Sequence, residues 1–131
     1  MKHNYLRRAA GLLVAALPFA LCAFSALSTR RFSASYIGWG LIGFGLLVAA
    51  MNLYLSFVRP ALHRFRHGSH QHYHQSSGIP LVGTVSTFLG VAVAFGHPTG
   101  AALGALQFLA DTGGLTWFTF STWYDASLWD R

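Results

Sequence analysis

An acidic side chain inside an apolar stretch is the residue of this sequence best placed to do chemistry. Asp111 stands in the run from Gly96 to Tyr124, GHPTGAALGALQFLADTGGLTWFTFSTWY, whose other residues are largely Leu, Phe, Ala and Gly. Read as a helix, the run carries Gly100, Gly104, Gln107, Asp111 and Gly114 at steps of four, three, four and three. That spacing gathers its small and polar residues on one stripe and leaves the apolar faces for lipid. Holding an ionised carboxylate at the centre of a membrane helix costs about 2.5–3.5 kcal/mol on insertion scales, so such a residue has a partner, a wet cavity or a proton. Two chemistries follow. In one, Asp111 is a protonatable coupling site, and Gly113 and Gly114 directly after it loosen the helix as in the discontinuous helices of ion-coupled transporters. In the other it is structural, bonding Gln107, Thr112, Ser86, Thr87 or Asn52, or pairing with a basic residue of a partner chain.

The second set of chemically able residues is the histidine group. His63, His67, His70, His72 and His74 form H-x3-H-x2-H-x-H-x-H in the polar stretch Arg59 to Gly78. Imidazole is the commonest side-chain ligand for zinc, copper or nickel, so the loop is a candidate metal or pH sensor. No cysteine or carboxylate joins the set, and Arg64 and Arg66 within it repel a cation. The plainer reading is a cytoplasmic loop whose arginines meet anionic lipid headgroups.

The elements that must position these residues are apolar runs of membrane length. Residues 9–27 follow Lys2, Arg7 and Arg8 and are uninterrupted over the roughly 20 residues a bilayer core requires. The run exceeds the apolar core of a cleaved signal peptide, about 7–15 residues, and no A-x-A site ends it, so a retained helix is expected. Its small residues Gly11, Ala15, Pro18, Cys22 and Ser25 share a stripe. The second run, 36–58, puts Gly38, Gly45, Ala49, Asn52 and Ser56 on one face. The third, 79–95, opens at Pro80 and aligns Gly83, Thr87, Gly90 and Ala94. GHPTG then makes a turn short enough to demand an antiparallel hairpin, with Asp111 opposite about Val85 and within reach of Ser86 and Thr87. The fourth run, about 100–123, ends in aromatics, and Trp117, Trp123, Tyr124 and Trp129 are expected to anchor it at the membrane interface, the tail from Asp125 being too short to fold alone.

Composition agrees with this plan. The chain of 131 residues is 53% hydrophobic and 9% charged, against about 25% charged in a soluble domain. Its formal charge of +6 comes from arginines in short clusters beside apolar runs, a topology signal and not a nucleic-acid surface. Counting Lys and Arg near the ends of the runs gives seven on one side against two on the other, which sets both termini and the histidine loop in the cytoplasm. The single cysteine, Cys22, excludes an intrachain disulfide.

The expected fold is an all-α, polytopic membrane domain of four helices packed as two antiparallel hairpins, with Gly45, Gly83, Gly90, Gly100, Gly104 and Gly114 in left-handed small-residue seams. Its place is a cell membrane of the bacterial cytoplasmic type. In length and number of runs the chain resembles the small multidrug resistance transporters. That family carries its working glutamate in the first helix, where 9–27 has no acid, so the resemblance transfers no residue. No nucleophile elbow, metalloprotease helix or phosphate loop occurs, and no enzymatic activity is expected. The sequence therefore points to a non-enzymatic membrane protein, an accessory subunit or homo-oligomer acting through helix contacts, without a cofactor. A proton- or ion-coupled small transporter using Asp111 is the alternative.

Overall fold

The computed structural model describes residues 5–30, 36–67 and 78–129, and every regular element in them is helical. The helices are α1 (Tyr5–Leu27), α2 (Tyr36–Leu53), α3 (Arg59–His67), α4 (Val82–Val93), α5 (Pro98–Ala110), α6 (Leu115–Thr122) and α7 (Ala126–Trp129). A single π-helical turn, Tyr54–Val58, joins α2 to α3 without a break, so Tyr36–Phe65 runs as one helix of 30 residues. This helix and α1 are long and apolar enough to cross a membrane. The other two runs are built differently. α4 has 12 residues and α5 has 13, which at 1.5 Å per residue gives about 18–20 Å each, short of a hydrocarbon core of about 30 Å. The fourth run is not one helix: it stops at Ala110 and restarts at Leu115.

Small residues decide which faces meet. In α1 the buried residues are Pro18, Cys22 and Ser25, at the four-and-three spacing of a single stripe. Pro18 thereby turns the position that lacks an N–H toward protein. α2 and α4 pack antiparallel. Gly38 meets Ala94, Gly90 meets Ile42, and Gly45 lies so near the Thr87 hydroxyl that a Cβ there would collide with it. α1 and α5 also pack antiparallel. The Gly96 N–H donates to Ser25 Oγ at 3.0 Å, Cys22 lies against Gly104, and Phe19 meets Phe108 edge to face with ring centroids 5.8 Å apart.

The grouping of the helices departs from two hairpins laid side by side. α1 and α2 scarcely touch, because α4 and α5 stand between them, α4 chiefly against α2 and α5 against both. A core of Cys22, Ile42, Val91, Ala94, Ala101 and Phe108 fills the centre. The outward faces stay apolar: Leu13, Phe24, Leu47 and Phe120 are each more than two-thirds exposed.

The end of the described chain also differs from expectation. The tail folds back on α1: Trp129 is 7% exposed, its indole N–H donates to Thr122 O at 2.7 Å, and its ring covers Gly11. Arg8 of α1 donates to Trp123 O at 3.1 Å with its guanidinium 5.3 Å from the Trp123 ring centroid. Trp129 is thus a packing residue. Glycine at position 11 is what lets the indole lie on the helix backbone.

Candidate functional site

The site forms where two segments leave helical geometry at the same level of the bundle. Asp111 takes an extended backbone (φ −74°, ψ 92°), which ends α5, and Thr112 to Gly114 turn before α6. Facing them, Gly78 to Leu81 lead into α4, with Leu81 in the left-handed region at φ 64°. Each break frees N–H and C=O groups that, away from water, must be satisfied by protein. Part of the need is met between the breaks themselves, since Leu81 N donates to Gly113 O at 3.1 Å and Gly114 N to Asp111 O at 2.9 Å.

Side chains meet the rest. Asn52, buried on α2, takes the Ile79 N–H on Oδ1 at 3.1 Å and gives Nδ2 to Ile79 O at 3.3 Å, replacing the pairing a helix would have supplied. Because the Ile79 N–H requires an acceptor, the orientation of the Asn52 amide is dictated, and its NH2 group faces Asp111. It donates to Asp111 Oδ1 at 2.7 Å, and Gly113 N donates to the same oxygen at 3.2 Å. On the other oxygen, Oδ2, Gln107 Nε2 donates at 3.1 Å and Thr84 Oγ1 at 3.4 Å.

Asp111, Asn52 and Gln107 are all completely or almost completely buried. Three N–H groups and the Thr84 hydroxyl thus direct hydrogens to the two Asp111 oxygens. The same arrangement opposes a metal cation, which would need the lone pairs of those oxygens for itself. Among the described residues no Lys, Arg or His bonds the carboxylate, so oriented dipoles carry its compensation.

Close approach of backbone makes the cluster possible. A Cβ on Gly83 would stand 2.7 Å from Asp111 Oδ2 and 2.8 Å from Gln107 Nε2. On Gly113 it would stand 2.7 Å from Asn52 Nδ2, and on Gly114 2.6 Å from Thr84 Oγ1. Of the other expected seam glycines, Gly45, Gly90 and Gly104 are also closely approached, whereas a Cβ at Gly100 would find its nearest neighbour at 3.5 Å.

The expected polar residues divide. Asn52 and Gln107 join Asp111. Ser86 turns to α2 and donates to Leu41 O at 2.9 Å, and Thr112 pairs with Ser56 at 2.8 Å. Thr87 is buried at the α2–α4 seam and its hydroxyl has no partner. The residue missed is Thr84. The hairpin register put Asp111 opposite Val85, one position away, but Val85 faces outward and helix rotation gives the contact to Thr84. Among the described residues Gln107 Oε1 is likewise a buried polar atom without a partner.

Depth also differs from a mid-helix position. Asn52 precedes Arg59 by seven residues, about 10 Å along the helix, so the cluster lies toward the arginine-bearing end. A cleft of about 190 Å³, lined by Asn52, Ser56, Gly78, Pro80, Thr112 and Gly113, opens beside it. Of the histidines, His63 and His67 belong to α3, and His70, His72 and His74 lie outside the described residues. Among the described residues no three His, Cys, Asp or Glu side chains converge as metal ligands. Comparison of the chain with protein-family models, with curated proteins and with solved structures gives no match.

Proposed function

We propose that the chain is a multi-pass integral membrane protein that acts through helix contacts, as an accessory subunit or partner of a membrane complex, with Asp111 as an internal anchor. The observation that carries this reading is the use made of the carboxylate. Two of its donors, Asn52 Nδ2 and Gly113 N, belong to groups that tie the chain breaks together, Asn52 through Ile79 and Gly113 through Leu81. The small-residue seams and apolar outer faces support a bundle that meets lipid and other helices directly.

In this arrangement all four apolar runs lie in the bilayer. α1 crosses it, as does the helix from Tyr36. The α4–α5 hairpin has its tip at the level of Ser25 and Gly38, and α6 carries the fourth run on to the level of Arg8. Arg8, Arg59 and the end of α6 then share one side, taken as cytoplasmic from the excess of arginine there.

Purification in mild detergent, with mass spectrometry of whatever stays bound, tests the proposal. Stable co-purification of a membrane partner or a defined homo-oligomer, retained by Asp111→Asn, is the expected result. The second reading is a proton-coupled transporter, favoured by the cleft beside Asn52 and Gly113, one wall away from the carboxylate. An Asp111→Asn protein that folds and assembles normally but loses proton flux in vesicles would establish that reading in place of the first.

A further inference from the structure

The stretch after the second apolar run, expected as a solvated loop whose arginines meet anionic headgroups, begins instead with the nine-residue helix α3, RPALHRFRH. At 3.6 residues per turn, Ala61 and Leu62 fall four and three residues before Phe65 and share its face. Arg59 and His63, four apart, lie on the other side, and Arg64 stands on the opposite flank, next to Ala61. Phe65 is 92% exposed, and Leu62, Arg59 and Arg64 are exposed as well. Separate apolar and cationic faces on a short helix are the pattern of a helix that lies in a membrane interface.

The length of the continuous helix says where α3 must be. Arg59 follows Tyr36 by 23 residues, about 35 Å, which just exceeds a hydrocarbon core of about 30 Å. The rest of the helix therefore falls in the headgroup layer. There an exposed phenylalanine has the acyl carbons nearest the glycerol to enter, and exposed arginines have phosphates to meet.

We propose that α3 is an interfacial helix that binds anionic phospholipid, the long helix bending at its π-helical turn Tyr54–Val58 where it meets the lipid surface and so seating Ala61, Leu62 and Phe65 among the upper acyl carbons and Arg59 and Arg64 on the lipid phosphates. This rests on the reading that Tyr36–Val58 crosses the bilayer, and the experiment separates the two. Full-length Cys22→Ser protein carries one cysteine, Ala61→Cys or Leu47→Cys, labelled with an environment-sensitive fluorophore. It is placed in nanodiscs of phosphatidylcholine with or without phosphatidylglycerol. Quenching by iodide from water, scaled in each lipid to that of a headgroup-attached fluorophore because phosphatidylglycerol repels the iodide anion, is compared with quenching by brominated acyl chains.

The probe at residue 47 should be shielded from iodide in both lipids. The probe at residue 61 should be quenched by brominated chains, with stronger shielding from iodide when phosphatidylglycerol is present. Arg59→Gln and Arg64→Gln should each lower the seated-to-open ratio about fivefold in anionic discs, the equivalent of ~1 kcal/mol per charge at an anionic surface, and high salt should do the same. Phe65→Ser should weaken seating in both lipids. Iodide access at residue 61 that is equal in the two lipids would overturn the proposal, as would shielding that appears only when a disc holds two copies. Free iodide access at residue 47 would overturn the spanning helix itself.

Discussion

Replacing Asp111 distinguishes an anchor made of hydrogen bonds from one that needs its charge. Asp111→Leu keeps the approximate volume and removes the acceptors. Thr84 can turn its hydroxyl to a helix carbonyl, and Asn52 retains Ile79 O, but one N–H of Asn52, the Gln107 amide and the Gly113 N–H lose their partner. A buried donor left unsatisfied costs about 1–3 kcal/mol, so for three of them a loss of about 3–9 kcal/mol is expected. Asp111→Asn behaves differently because of Gln107. The new amide keeps a carbonyl for Asn52 and Gly113 and puts an NH2 where Oδ2 was, toward the NH2 of Gln107. Rotation of the Gln107 side-chain amide then presents Oε1, a buried acceptor with no other partner. The pairing at residue 111 is restored, but the Gln107 NH2 now occupies the buried place of its unpartnered Oε1, and a net loss of about 1–3 kcal/mol is expected, below that of Asp111→Leu. The assay is unfolding of the detergent-solubilised protein by titration with dodecyl sulfate, followed by tryptophan fluorescence and circular dichroism. If Asp111→Leu is as stable as Asp111→Asn, the hydrogen bonds hold nothing. If Asp111→Asn is as damaged as Asp111→Leu, the charge itself is required and the neutral exchange with Gln107 is refuted.

Three further outcomes are expected. Gly83→Ala should destabilise the bundle by about 1–3 kcal/mol, since its Cβ would meet Asp111 and Gln107 at 2.7–2.8 Å, while Gly100→Ala should be neutral or stabilising by up to about 1 kcal/mol; the same titration checks both. Gly11→Val should push Trp129 off α1, seen as a red shift in tryptophan emission and faster proteolysis of the C-terminal tail, with the far-ultraviolet circular dichroism nearly unchanged. Calorimetry with zinc, copper and nickel should give affinity no better than that of a loose histidine peptide, unaltered when His70, His72 and His74 are replaced by Gln; tight binding lost in that variant would establish the loop as a metal site.

Much of this protein was legible in local pattern. The spacing of small residues marked the buried face of α1 at Pro18, Cys22 and Ser25 before any neighbour was known, because a residue that packs against another helix must be small wherever the chain repeats its face. Asn52, Gln107 and Asp111 were legible for a related reason, since polar side chains in an apolar run must find one another or pay desolvation. Their helical state followed from uninterrupted apolar runs without strand alternation. Tertiary structure alone decided the rest. Nothing local to α1 and α2 says that α4 and α5 will stand between them, since each stripe records only that some surface covers it. Thr84 takes the place expected of Ser86 and Thr87 because the rotation of α4, in which Thr87 meets Gly45 and Ser86 turns to Leu41 O, chooses among neighbouring hydroxyls. The break at Asp111 needed the most context. Gly113 and Gly114 made it possible, but freeing backbone groups in an apolar interior is tolerable only where Asn52 on α2 and Leu81 before α4 are present to bond them, and those come from segments 59 and 30 residues away when counted from Asp111.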